Sequence, residues 1–120
     1  MGFWYHPIEE TTLGAVVEYE GSNPDSVYDI RFSDGEHYVG RFSNLDAGAD
    51  NSNDLDIDMD DPRYDEFYQL DFELSDDSAR GHRNYNEYLC VDYRDFPSSI
   101  TNAITGEVVY PLTHTTADSA

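Results

Sequence analysis

The sequence is poor in cationic and sulfur-containing residues, and these shortages limit what it can do. Its 120 residues include no lysine, six arginines and a single cysteine, Cys90. One cysteine excludes an intrachain disulfide framework and fits a reducing compartment. No apolar run approaches the roughly 18 residues of a membrane span, and the N-terminal residues lack the basic segment of a secretory signal. We therefore expect a cytoplasmic protein.

Motifs that would indicate catalysis are also missing. There is no glycine-rich phosphate loop, no His-Glu-x-x-His and no Cys-x-x-Cys spacing. Cys90 could act as a nucleophile with His82 as its base, but its position between Leu89 and Val91 is typical of a buried structural thiol. Carboxylate pairs arise by chance in so acidic a chain, so none is singled out. We expect no enzyme activity and no cofactor.

The chain carries a large excess of negatively charged side chains. Its 26 Asp and Glu residues outweigh the arginines and give a formal net charge of −20. Self-repulsion on this scale opposes folding at low salt, so a cause is expected: a basic partner, a high-salt habitat, or a need for solubility. The same charge disfavours direct binding to nucleic acid and to anionic membranes.

Hydrophobic residues make up 38% of the chain, enough for one modest core. We expect a single domain over residues 1–112 and a flexible tail over residues 113–120. Hydrophobic alternation and turn signals predict a mainly β fold: a small antiparallel sheet or a partly closed barrel, with at most one or two short helices. The predicted strands are 13–20, 27–42 as a hairpin, 68–74, 88–93, 100–104 and 107–112, and 44–53 is predicted as a loop.

The hairpin at 27–42 allows two registers. A three-residue loop with Gly35 in the left-handed region pairs Ile30 with Tyr38, whereas a two-residue Asp-Gly loop pairs Ile30 with Val39. We prefer the first register.

Acidic and apolar residues alternate strictly over residues 54–60. On a strand, Leu55, Ile57 and Met59 would share one side. The opposite side would carry Asp54, Asp56, Asp58 and Asp60.

Two structures compete for the segment that follows. Asp61 can cap a short helix with Pro62 at its first position, or residues 60–63 can turn into a strand over 64–74. The intermediate prediction is one or two helical turns at 62–67, followed by a strand from Tyr68 to Leu74.

The same acidic spacing resembles that of a calcium loop, with Asp65 at the twelfth position. The sixth position, which requires glycine, is Met59, and the final glutamate is displaced to Glu66. We therefore expect no specific calcium site.

Carboxylates at alternate positions of a strand lie about 6.6 Å apart. Two rises along one DNA strand measure about 6.8 Å, so an aspartate ladder can imitate the spacing of phosphates. The alternative is a solvated sheet face in a protein that is acidic everywhere. The aromatic residues near this run would serve as anchors for a partner. The complete predicted partner-binding set is Asp54, Asp56, Asp58, Asp60, Asp61, Asp65, Glu66, Asp71, Glu73, Asp76 and Asp77, with Tyr64, Phe67 and Tyr68 as the anchors.

In its size, its charge and its acidic run over residues 54–77, the chain resembles the DNA-mimic inhibitors. This class includes anti-CRISPR proteins, antirestriction proteins and the phage inhibitor of uracil-DNA glycosylase. The resemblance implies a non-catalytic protein that occupies the nucleic-acid channel of a basic partner, with a CRISPR-Cas or other defence complex as the first expectation. The alternatives are a salt-adapted domain with evenly spread acid, and an immunity protein against a basic nuclease toxin.

The basic residues of one loop form a second feature. Arg80, His82 and Arg83 lie close together, and Arg94 follows shortly after. They can pair with the surplus carboxylates of the chain, or they can contact an acidic patch on a partner. We expect intramolecular pairing.

Overall fold

Seven strands form one open antiparallel sheet in the computed structural model, which describes residues 4–112. The helices are α1 (Pro7–Thr11), α2 (Leu13–Ser22) and α3 (Ser52–Leu55), and Tyr93–Asp95 forms a 3₁₀ turn. The strands are β1 (Val27–Arg31), β2 (His37–Asp50), β3 (Glu66–Leu74), β4 (Asn84–Tyr85), β5 (Tyr88–Val91), β6 (Ser99–Asn102) and β7 (Val108–Tyr110). Their order in the sheet is β4-β5-β3-β2-β1-β6-β7. The mainly β antiparallel fold is confirmed, as a sheet and not a barrel, and the predicted tail at 113–120 lies outside the described residues.

The core lies between the sheet and the bent helix formed by α1 and α2. Alternate residues of β1, β2 and β3 point into it, among them the fully buried Tyr28, Ile30 and Tyr38. Leu13 and Val16 of α2 cover these side chains and are also fully buried. Burying a side chain of this size contributes about 1.5–3 kcal/mol, so this layer is the main source of stability.

The predicted strand at 13–20 is wrong, because these residues form α2. Leu13, Val16 and Tyr19 recur every third position and face the core. This spacing is typical of a helix, just as the alternation of Leu13, Ala15, Val17 and Tyr19 is typical of a strand. The preceding residues decide between the two, since Pro7 begins α1 and Glu9 completes a capping box with His6.

A buried carboxylate attaches the bent helix to the sheet. Glu9 is fully buried, and its side chain accepts hydrogen bonds from the backbone N–H of His6 (2.9 Å) and of Tyr68 (2.8 Å). The strand β5 pairs with β3 only from Leu70 onward, so Tyr68 lies beyond the end of the β3–β5 pairing. Glu9 therefore replaces a missing strand at the edge of β3.

The hairpin of β1 and β2 has the preferred register, since Ile30 pairs with Tyr38 and Gly35 has a φ of 99°. The predicted loop at 44–53 is wrong, because β2 continues to Asp50 and pairs with β3. Two β-bulges absorb the small and polar residues of this segment. Because β1 pairs only with residues 37–41, the bulges also protect the remaining open edge of β2 from strand addition.

The segment 54–67 differs most from expectation. The strand at 54–60 and the helical turns at 62–67 are both wrong: α3 ends at Leu55 and no helix follows before β3. Residues 62–67 do not form a helix, because Glu66 and Phe67 pair as a strand with Asp50 and Ala49 of β2. The strand predicted from Tyr68 to Leu74 lies within β3 and is confirmed.

The C-terminal strands follow the prediction closely. β5 covers the first part of the strand predicted at 88–93, which then turns into the 3₁₀ turn. β6 and β7 form the predicted last hairpin around Thr105 and Gly106, and Gly106 has a φ of 79°. Within the described residues, no helix is long and apolar enough to cross a membrane.

Candidate functional site

The acidic run lies in the β2–β3 loop, residues 51–65, and a buried asparagine closes the base of this loop. The amide of Asn51 donates to the carbonyl of Arg63 (2.9 Å) and accepts from the N–H of Asp65 (2.8 Å). Its backbone N–H donates to the carbonyl of Asp65 (3.1 Å), and its carbonyl accepts from the N–H of Leu55 (3.1 Å). The loop is therefore held at its base independently of the acidic side chains above.

Asp65 belongs to this base and is not a free charge. One carboxylate oxygen lies 2.8 Å from Nε2 of His6, and the other accepts from the hydroxyl of Tyr93. Nε2 of His6 also lies 3.2 Å from the carbonyl of Glu66, so this nitrogen faces two acceptors and carries the proton. Desolvation, followed by the contact with Asp65, raises the pKa of Tyr93 to about 12. Asp65 thus joins the loop to the N-terminal segment and to the 3₁₀ turn.

The tip of the loop, residues 54–61, carries no strand ladder. Asp56 has a φ of 55° in the left-handed region, and the N–H of Ile57 closes a turn on the carbonyl of Ser52 (3.0 Å). This turn destroys the regular strand spacing on which the match to DNA phosphates depended. The physical reason is that residues 54–60 have no neighbouring strand with which to pair, while residues 66–74 pair with β2.

Three carboxylates at the loop tip have no partner in the part of the chain that the structure describes. Asp54 accepts from Arg94 (3.1 Å), and Asp61 pairs with Arg63 (3.0 Å), whose hydrogen bonds lower the pKa of Asp61. Within residues 4–112, no cation or hydrogen-bond donor reaches the carboxylates of the remaining aspartates. These exposed, unpaired aspartates are Asp56, Asp58 and Asp60. They border an open depression of about 270 Å³ together with Ile57, Asp61 and Arg63.

Exposed apolar side chains alternate with these charges. Leu55 is 45% exposed and Met59 is 73% exposed, although the sequence pattern placed both on the apolar side of a strand. Sequence reasoning therefore missed them as surface residues. No local signal in the sequence marks them as exposed, because Pro62 and the apolar residues after it allow a turn and a second strand.

The expected aromatic anchors lie elsewhere. Phe67 is 1% exposed, because the guanidinium of Arg94 lies 4.1 Å above its ring and Tyr93 packs against its edge. Tyr68 is 9% exposed and packs against Trp4. The assignment of Phe67 and Tyr68 as exposed anchors is therefore wrong. Tyr64 is half-buried at the loop base, where its hydroxyl contacts Asp50 and Glu66, and desolvation and Glu66 raise its pKa to about 12.

The remaining predicted acidic residues do not join the loop tip. Glu66 lies at the base, and Asp71 and Glu73 lie on β3, where Asp71 accepts from Gln69 (2.9 Å). Asp76 and Asp77 follow the other end of β3, and both are exposed. A strand of nine residues spans roughly 27 Å, so the predicted surface is divided between two ends of the molecule.

His82, Arg83 and Arg94 pair with carboxylates of the chain, as expected, whereas Arg80 pairs with no carboxylate of residues 4–112. Arg83 contacts Asp34 (3.0 Å), Glu36 (3.0 Å) and Asp95 (2.7 Å), and it stacks 3.8 Å above the ring of Phe32. Partial desolvation opposes ionisation of Glu36, but hydrogen bonds from Tyr38, His82 and Arg83 prevail and lower its pKa to about 2. Arg94 binds Asp92 and Asp54, and Arg80 donates to the backbone carbonyls of Ser75 and Ser78.

Cys90 is exposed, which corrects the expectation of a buried thiol. On β5, Leu89 and Val91 point into the core, and Cys90 therefore points to the other face of the sheet. Partial desolvation, followed by the hydrogen bond to Asp71, raises the pKa of its thiol to about 12, which disfavours the reactive thiolate. His82, the suggested base, has its Nδ1 2.6 Å from Glu36.

Among residues 4–112, no three His, Cys, Asp or Glu side chains are grouped in a way that could hold a metal ion. Comparisons with known protein families, curated proteins and solved structures find no significant match. The function is therefore argued from the geometry of the loop tip.

Proposed function

We propose that this protein is a non-catalytic inhibitor whose loop tip binds the basic groove of a nucleic-acid enzyme. One observation carries the proposal: Asp56, Asp58 and Asp60 are exposed, and unpaired within residues 4–112, on the same loop as the exposed Leu55 and Met59. A solvated acidic surface needs no large apolar side chains, whereas a protein-binding surface combines apolar contacts with complementary charge.

The charge and the apolar residues act over different distances. The net charge of −20 attracts a basic partner and speeds encounter, and this attraction weakens with salt. At close range, Leu55 and Met59 bury apolar surface against the partner, while the three free aspartates meet its arginines and lysines. Because Asn51 holds the loop base, little ordering is required of the base on binding.

The mechanism is competition for a groove and involves no chemical step. Carboxylates of the loop tip replace the phosphates of the nucleic acid as a compact cluster and not as a ladder with DNA spacing. A CRISPR-Cas effector is the first target we propose, and restriction enzymes and nuclease toxins are further members of the same class of basic proteins.

A competition assay tests this proposal. A fluorescent DNA duplex is bound to a purified CRISPR-Cas effector, to a restriction endonuclease and to a nuclease toxin, and DNA release is followed by anisotropy. We expect the wild-type protein to release DNA from at least one of these enzymes. A variant with Asp56→Asn and Asp58→Asn should be about tenfold weaker, a loss of ~1.4 kcal/mol.

A charge-matched control separates the loop tip from net charge. Asp25→Asn with Glu87→Gln also removes two exposed carboxylates that are unpaired among the described residues, but these lie outside the loop. If the control weakens inhibition as much as the loop variant, the loop tip has no special role. If DNA and this protein bind the enzyme together, competition is refuted.

A second candidate is a salt-adapted domain with no basic partner. It is favoured by exposed carboxylates far from the loop tip that no other described residue pairs with: Glu10 and Glu18 on the bent helix, Asp76 and Asp77 after β3, and Glu87 between β4 and β5. The absence of lysine fits this candidate too. It leaves the exposed Leu55 and Met59 without a role.

A further inference from the structure

A groove lies between α2 and β7, at the end of the sheet. It consists of two adjoining cavities of about 390 Å³ and 310 Å³ that share Ala15, Glu18 and Leu112. Each cavity falls within the size range of ligand pockets, about 300–1,000 Å³. β7 is the last strand of the sheet, so no further strand of the described chain covers this side.

The groove is apolar at its floor and anionic at its rim. Ala15 and Val109 are buried beneath it, and Leu112 is half-exposed beside it. At the rim, Glu10 and Glu18 are exposed, and within residues 4–112 their carboxylates have no cation or hydrogen-bond donor. This combination suits a ligand that carries apolar and cationic groups side by side.

We propose that this groove, here called the α2–β7 groove, binds a segment of the basic partner in which apolar and arginine side chains alternate. The apolar side chains occupy the two cavities, and the arginines reach Glu10 and Glu18. The inference rests on the proposed function, because the same partner supplies the segment. A second copy of this chain is a poor occupant, since two surfaces with a net charge of −20 repel each other.

Three synthetic hexapeptides test the groove without the partner. The first alternates Leu and Arg, the second replaces Arg with Gln, and the third replaces Leu with Gly. Each is titrated into isotope-labelled protein and followed by NMR at about 0.15 M salt, where exposed charges more than roughly 8 Å apart are largely screened.

We expect the Leu-Arg peptide to shift the amide signals of Ala15, Val109 and Leu112, and the other two peptides to bind more weakly. Equal binding of the leucine-free peptide would show that only charge matters and would overturn the inference. So would shifts centred on the loop tip instead of the groove.

Two variants complete the test. Glu10→Gln with Glu18→Gln should weaken binding of the Leu-Arg peptide roughly fivefold, as expected for the loss of two exposed ion pairs. The control Asp25→Asn with Glu87→Gln should leave it unchanged, and equal weakening by both pairs would refute the groove.

The loop-tip variant Asp56→Asn with Asp58→Asn distinguishes this inference from the proposed function. It should bind the Leu-Arg peptide normally while losing competition with DNA. If the peptide fails to bind wild-type protein but the loop tip still competes with DNA, the groove is refuted and the proposed function stands.

Discussion

Asn51 and Asp65 are joined by two hydrogen bonds that close the β2–β3 loop: the N–H of Asp65 donates to the side-chain oxygen of Asn51 (2.8 Å), and the N–H of Asn51 donates to the carbonyl of Asp65 (3.1 Å). Fourteen positions of sequence separate the two residues. The contact places an exposed acidic tip on a buried polar base, so the stability and the charge of the loop can be changed separately.

Asn51→Ala should destabilise the protein by about 1–3 kcal/mol, because it leaves the partly buried N–H of Asp65 and the carbonyl of Arg63 without their side-chain partner. Urea unfolding followed by circular dichroism measures this. The neighbouring Asn53 is exposed, and Asn53→Ala should change stability by less than about 0.5 kcal/mol. Equal effects of the two substitutions would contradict the role given to Asn51.

Leu55→Ser and Met59→Ser should each change the free energy of unfolding by less than about 0.5 kcal/mol, because both side chains are exposed. Leu70→Ala, at a fully buried position of β3, should cost about 2–5 kcal/mol. Thermal unfolding of the three variants checks this. A large loss at Met59 would mean that residues 54–60 pack as a strand after all.

Glu36 should make the free energy of unfolding decrease as the pH falls. In the folded chain its pKa is lowered to about 2 from the ordinary value of 4.5, so the unfolded state binds a proton first as the pH falls. The contribution of Glu36 is therefore complete above about pH 4.5 and is lost as the pH falls through about 2.

Glu36→Gln isolates this contribution from that of the other carboxylates. The difference in stability between wild type and Glu36→Gln should be larger at pH 6 than at pH 2, measured by urea unfolding at both values. A difference that stays constant with pH would refute the ionic role of Glu36. Asp25→Asn, at an unpaired carboxylate, serves as the control and should show no such loss at low pH.

The salt concentration that the protein needs to fold should distinguish the inhibitor from the salt-adapted domain. An inhibitor from an ordinary cytoplasm should be folded at about 0.15 M salt, where the Debye length is about 8 Å. A salt-adapted domain should need molar salt to overcome its own repulsion. Circular dichroism across a salt titration measures this, and unfolding below about 1 M salt would exclude the inhibitor.

Several elements could be predicted from the sequence because their signals are local. The β1–β2 hairpin follows from the alternation of Tyr28, Ile30 and Phe32 and from Gly35 at a left-handed position. The β6–β7 hairpin follows from Gly106 in the same way. The pairing of Arg83 and Arg94 with carboxylates follows from the excess of acid, whereas Arg80 donates to backbone carbonyls instead.

The conformation of the candidate site depends on contacts between residues that are distant in sequence. Residues 54–60 and Leu13 to Tyr19 show similar alternation, yet neither segment forms a strand. An alternating segment becomes a strand only if another strand has an edge free to pair with it. The residues of the segment do not show whether such an edge exists. The extension of β2 to Asp50 depends likewise on Phe67 and Glu66, its partners across the sheet.

The sequence by itself determined the charge of this protein, the β character of its fold and the position of its acidic run, because composition and turn chemistry are carried by each residue. Only the tertiary structure decided that Phe67 is buried and that Leu55 and Met59 are exposed. It also decided that Asp65 belongs to the loop base, while Asp56, Asp58 and Asp60 pair with no other described residue. Burial and pairing depend on which distant side chains arrive at a position, here Arg94 over Phe67 and His6 beside Asp65.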